Sequence, residues 1–241
     1  MPISNCDFLG TEWRFLIFGM AMAFWSSLGQ TFFISLFSGQ IRQTLNISHG
    51  DFGTYYAIAT TASALSLIWL GKLADTIRLE KLTMVVLGSL CCSAILFSQV
   101  SSLWMLVGGL YLLRMFGQGM MTHVYTTAMA RRYVSTRGRA ISIAQLGQTL
   151  SESIGPASIV AFLALFDWRS LWIGIPIIAF CMLAPFIRYL TQRTRLQDGE
   201  GREGLTSDQS WPEKTLVSQR QWRRSEVLRD PVFWLALIWL A

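Results

Sequence analysis

Two oppositely charged residues stand out for where they fall. Arg114 in LLRMFGQGMMTHV and Glu152 in QTLSESIGPASIVAFL each interrupt a run that is otherwise apolar or weakly polar. A guanidinium carries only donors and an ionised carboxylate only acceptors. Together they can bind a charged solute, hold or pass a proton, or simply pair with each other. Amides and hydroxyls accompany them. Gln118 follows Arg114, and at about 100° per residue Ser142, Gln145, Gln148, Thr149 and Glu152 gather on one side of a helix. Ile143, Leu146, Leu150 and Ile154 take the other side, facing lipid or neighbouring helices. Gln30 with Ser26 and Ser27, and Tyr56 with Thr60 and Ser63, add polar positions in two earlier runs. The pattern predicts helices lining a polar cavity. Nucleophilic or metal chemistry has no support. His49 and His123 are far apart with no Cys or Asp at ligand spacing, and His123 reads as a packed or snorkelling side chain. The four cysteines fit neither a metal site nor a disulfide framework and read as small buried hydrophobes. No enzyme activity, metal or cofactor is expected.

The elements that must hold these residues are set by composition. The chain is 52% hydrophobic and only 14% charged, with a mean hydropathy of +0.42; a soluble domain carries roughly 25% charged residues. Six mostly apolar runs, at 15–37, 52–74, 82–100, 103–129, 140–165 and 170–190, each approach the roughly 20 residues that a helix needs to cross a bilayer. A seventh, PVFWLALIWLA, stops about halfway, so the chain reads as part of a longer protein or a broken gene. Arg114 then lies roughly 16 Å from the outer end of the fourth run and Glu152 roughly 19 Å from the inner end of the fifth. Both are near mid-membrane, where an unpaired charge costs at least about 3 kcal/mol.

Charge placement sets the orientation. Seventeen of the twenty Lys and Arg fall on the side of the amino terminus and of the loops after runs two, four and six. Only Arg42 and Arg169 lie opposite, which predicts a cytoplasmic amino terminus. The net charge of +6 is therefore a topology signal and not a nucleic-acid footprint. The reading divides the chain into a helical bundle at 1–190, a cytoplasmic linker at 191–230 and the truncated helix at 231–241. Asn46-Ile47-Ser48 has the form of a glycosylation acceptor, but Ser48 with Asp51 three residues on also forms a helix-capping box, and the cap is the reading adopted.

The loop GKLADTIRLEKL carries Gly71, Leu73, Ala74 and Asp75 in the pattern G-x-L-a-D; Thr76, Arg78, Leu79 and Glu80 depart from its basic continuation. Here the chain resembles the major facilitator superfamily. The resemblance implies that these four residues, with Arg137 and Arg139 of ARRYVSTRGRA, form a cytoplasmic gate. It also assigns Arg114 to the fourth-helix motif R-x-x-q-G, with Gln118 and Gly119 one position late, and makes Gly117 and Gly119 close-packing sites. Gly155 and Pro156 match the G-P of the family's fifth-helix motif and imply a kink; Ser151 and Ile159-Val160 replace its other glycines. RRYVSTRGRAISIAQLG is similar to bacterial carboxylate-type carriers, which implies an organic anion. The implied fold is an all-α integral membrane protein: six transmembrane helices as two inverted three-helix repeats, half of a twelve-helix fold, plus the truncated seventh helix. The implied function is secondary transport of a small solute across the cell membrane by alternating access, with Arg114, Gln118, Gln145, Gln148, Glu152 and Gln30 binding substrate or protons. The implied partners are lipid, the solute, and a missing carboxy-terminal half or a second copy. The alternatives are a non-transporting subunit or channel, and an inactive half-transporter.

Overall fold

The structure, a computed structural model, describes residues 5–71, 77–133 and 136–204, with side chains over 13–71, 77–133 and 136–189. The chain divides into Met1–Leu196 and Gln197–Ala241; in the second unit residues 197–204 are helical. Among the described residues there is no strand, and the helices fall into six stretches.

The first stretch is not one helix. It comprises α1 (Asn5–Ser26), a 3-10 turn at Ser27–Gly29, α2 (Thr31–Leu36) and α3 (Ser38–Leu45), and so outruns the expected 15–37 at both ends. The break follows from local chemistry. The Ser26 hydroxyl donates to the Ala23 carbonyl at 2.7 Å, competing with the helix ladder. Gln30 is then extended, at φ −82° and ψ 153°. At the far end Asn46 closes α3 in the left-handed region, φ 53°, which Asn tolerates better than most residues.

The second stretch is α4 (His49–Leu70), started by the expected capping box. The Asp51 N–H donates to Ser48 Oγ and the Ser48 N–H to Asp51 Oδ2, each at 3.1 Å. The third is α5 (Leu79–Ser98). The fourth joins α6 (Leu103–Leu113), a π-helical segment at Arg114–Met121 and α7 (Thr122–Arg132). The fifth is α8 (Arg137–Leu163), and the sixth is α9 (Trp168–Gly204). Because α9 continues to Gly204, the first residues of the segment read as a linker are helical. Among the described residues, two helices, Leu79–Ser98 and the Trp168–Tyr189 part of α9, are by length and composition apolar enough to cross a membrane. They are the third and sixth stretches.

Two seams hold the bundle. On α8 the buried residues include Ala140, Ala144, Gly147 and Ser151, a face of small side chains lying between the polar stripe and the leucine stripe. This face meets α1, the most extensive helix pair in the structure. A Cβ at Gly147 would overlap the Met20 carbonyl oxygen and lie 2.7 Å from its carbon, so the two backbones are in direct contact. Small residues that let backbones approach are the usual basis of helix packing where burial from water cannot drive it. Leu146, Leu150 and Ile154 are left exposed, as a lipid-facing surface requires.

The second seam is aromatic. Trp172 is buried among Phe33, Phe37 and Phe97, with ring centroids 4.8 to 5.6 Å apart. Beside it Arg169 donates from Nη1 to the Ser98 carbonyl at 2.6 Å and from Nη2 to the Val100 carbonyl at 2.9 Å. It thereby satisfies carbonyls left over where α5 ends. The cysteine expectation is corrected in part. Cys91 is buried and its thiol donates to the Pro176 carbonyl, but Cys92 and Cys181 are exposed, because α5 and α9 turn those faces outward.

Candidate functional site

The site grows out of the break in the first stretch. A helix that ends leaves carbonyls without partners, and here Arg114 supplies the donor. Its Nη1 donates to the Gly29 carbonyl at 3.3 Å and to Thr31 Oγ1 at 3.1 Å, one residue on either side of extended Gln30. The guanidinium carbon lies 5.3 Å from the centre of the Tyr56 ring, within cation–π range. The Tyr56 hydroxyl in turn donates to Thr31 Oγ1 at 2.8 Å. Three stretches therefore converge on one charge, which is only 8% exposed.

Glycine permits the approach. A Cβ at Gly117 would stand 2.6 Å from Gly29 Cα and 3.2 Å from the Ser26 carbonyl oxygen; a Cβ at Gly29 would overlap the Leu113 carbonyl oxygen. Neither glycine has a positive φ, so space and not conformational freedom is what they provide. Gly117 is thus a close-packing site as expected, while Gly119 makes ordinary contact with Leu67.

Among the described residues, all of Arg114's partners are neutral. Its Nε is buried without a hydrogen-bond partner, as are Gln118 Oε1, Ser27 Oγ and Thr60 Oγ1. Arg114 and Glu152 form no ion pair: Glu152 is exposed on α8 and accepts from Gln148 Nε2, one turn away, at 3.0 Å. The reason lies in the packing. α8 lies against α1, α2 and α7, and the first stretch also packs on the π segment that carries Arg114.

The remaining expected positions separate accordingly. Gln30 is buried at the break and Gln118 is half-buried in the π segment, both close to Arg114 along the chain or across the Gly29–Gly117 contact. Gln145 is exposed on α8, on the side of Glu152. Gly155 lies 3.6 Å, by an added Cβ, from the Phe32 ring, and Pro156 lies inside α8, which continues to Leu163. Having no N–H, Pro156 leaves the Glu152 backbone carbonyl without its usual helical donor. At the other end Leu73, Ala74 and Asp75 lie outside the described residues. Gly71 ends α4 with right-handed angles, φ −56° and ψ −27°. Its carbonyl accepts from His123 Nε2 at 3.0 Å, which makes His123 a packed side chain bonded across helices. Arg137 is exposed and Arg139 half-buried in the first turn of α8.

The chain matches the family described as Major Facilitator Superfamily over residues 15–241. It belongs to that superfamily. No curated protein and no solved structure matches it. Membership makes the chain a multi-pass membrane protein of a family whose members are secondary transporters acting on small molecules, not enzymes. Against the superfamily's R-x-x-q-G, Gln118 and Gly119 come one residue late. A π turn closes its hydrogen bond over one residue more than an α turn, and the π segment begins at Arg114. Within that segment Gly117 meets Gly29. Thr31 was missed by sequence reading, because the break that exposes it has no Pro or Gly-Gly signal; the adjoining Ser26-Ser27 and Gly29 were the available cue.

Proposed function

We propose that this chain is the amino-terminal six-helix part of a secondary active transporter that moves a small organic anion across the cell membrane, amino terminus in the cytoplasm, by alternating access. The observation that carries this reading is the Arg114 guanidinium, buried and, among the described residues, held by neutral groups alone. A positive charge kept near mid-membrane without a carboxylate favours an anionic solute as its counter-charge. Glu152, on the polar stripe of α8 with Gln145 and Gln148, faces the same cavity from the other side of the first stretch and carries a proton or balances charge there. Gly71, Leu73, Ala74 and Asp75 with Arg137 and Arg139 close the cytoplasmic side, Gly155 and Pro156 bend α8, and a carboxy-terminal half or second copy completes the cavity. Binding that differs between the inward- and outward-open states is what shifts the equilibrium.

The test is uptake of a panel of labelled small organic acids by cells expressing the protein. Saturable uptake is expected, with Arg114→Ala abolishing it and Glu152→Gln altering its pH dependence. Saturable uptake that Arg114→Ala leaves unchanged in a folded protein refutes the assignment; conductance that does not saturate favours a channel.

A further inference from the structure

Five N–H donors are available on an arginine, and the structure divides Arg114's into two sets. Both bonds it makes come from Nη1, to the Gly29 carbonyl and Thr31 Oγ1. Nε is buried without a partner, and among the described residues no hydrogen bond within 3.5 Å runs from Nη2. Nε and Nη2 together form one edge of the planar guanidinium, the edge whose parallel N–H bonds fit an anion with two oxygens in a fork. Which edge is left unpaired is decided by Thr31 and Tyr56. Thr31 Oγ1 accepts from Arg114 and from the Tyr56 hydroxyl at once, and the Tyr56 ring lies against the guanidinium. With its oxygen accepting twice, the Thr31 hydroxyl still has its own proton to donate.

We propose that Thr31 and Tyr56 are positioning residues that pin the Nη1 side of Arg114 to the first stretch and so present its Nε–Nη2 edge to a forked oxyanion, a carboxylate or a group of the same shape. The proposal rests on the reading of Arg114 given above and adds to it which edge binds and what aims it. A lysine at this position would keep the charge but offer no such edge. Thr31→Val and Tyr56→Phe keep shape and ring while removing one hydroxyl each, so both are compatible with folding.

The experiment is chemical labelling of Arg114 by phenylglyoxal in the purified chain in lipid nanodiscs, read by peptide mass spectrometry. It is run alone and with a panel of small mono- and dicarboxylates, each beside its neutral amide. Far-UV circular dichroism and thermal unfolding confirm that each variant is folded. Without ligand, Thr31→Val and Tyr56→Phe each raise the labelling rate roughly fivefold, the factor for one lost hydrogen bond. Carboxylates protect the parent and amides do not, and both variants shift the protecting concentration upward by a similar factor. Protection of the parent that both variants leave unchanged, with unchanged labelling rates, overturns the positioning role while leaving the anion reading in place. A parent that no carboxylate protects overturns the oxyanion edge and the Arg114 reading together.

Discussion

Adding a single methyl group at Gly117 should disturb both the stability and the site. The Cβ of Gly117→Ala would lie 2.6 Å from Gly29 Cα and 2.7 Å from its nitrogen, both backbone atoms that cannot rotate aside. Ordinary contact begins near 3.4 Å, so the first stretch and the π segment must part by about 0.8 Å. The same displacement takes the Arg114 Nη1–Gly29 carbonyl distance from 3.3 Å to about 4.1 Å, which is no longer a hydrogen bond. Overpacking costs about 1–3 kcal/mol, and losing a long bond from a charged donor costs about 1.5 kcal/mol. The better helix propensity of alanine returns about 1 kcal/mol. The net expectation is roughly 1.5–3.5 kcal/mol of destabilisation, measured as thermal unfolding followed by tryptophan fluorescence in nanodiscs. Gly53→Ala and Gly108→Ala are the controls: both sit inside helices with nothing within 4 Å of an added Cβ, and should be neutral or slightly stabilising. A Gly117→Ala protein as stable as these controls, with wild-type labelling of Arg114, would refute the backbone contact and the dependence of Arg114 upon it.

Two further outcomes follow from the start of α4 and the end of α5. Asp51 is held below the ordinary carboxyl range, first by the side-chain bond with Ser48 and then by the Ser48 backbone bond. A carboxyl whose folded value is lowered stabilises the fold above its unfolded value, near 3.9, and loses that contribution as pH falls through the folded one. Hydrogen exchange at the start of α4 should therefore quicken on acidification below about pH 4, and Ser48→Ala should raise the Asp51 titration only part of the way to the ordinary carboxyl value, because the backbone N–H of residue 48 still donates, as carbon-detected NMR of labelled Asp would show. Arg169→Ala removes two donors from the carbonyls of Ser98 and Val100, and a drop of about 2 kcal/mol in unfolding free energy is expected where unfolding is reversible. An Arg169→Ala variant within experimental error of the parent would mean that water replaces both bonds fully.

What the sequence determined by itself is what depends on composition and on short spacing. Low charge and long apolar runs announce helices for a membrane, because no other environment suits so few charges, and the G-x-L-a-D loop names the superfamily. The Ser48–Asp51 cap was legible because a capping box closes within four residues and needs no distant partner. The approximate places of α4, α5 and α8 were legible for the same reason. Distance along the chain hides the rest. Arg114 and Glu152 look like a pair when their depths are compared, yet depth carries no information about azimuth, and packing sets α8 against α1, α2 and α7 instead. The buried face of α8 was overlooked because small residues score neither as polar nor as strongly apolar, although Gly147 on Met20 brings two backbones into contact. The break at Gln30, the π segment and the use of Thr31 and Tyr56 are tertiary decisions: each leaves or fills a hydrogen bond whose other member lies on a different helix, so only the assembled bundle could say where Arg114 points.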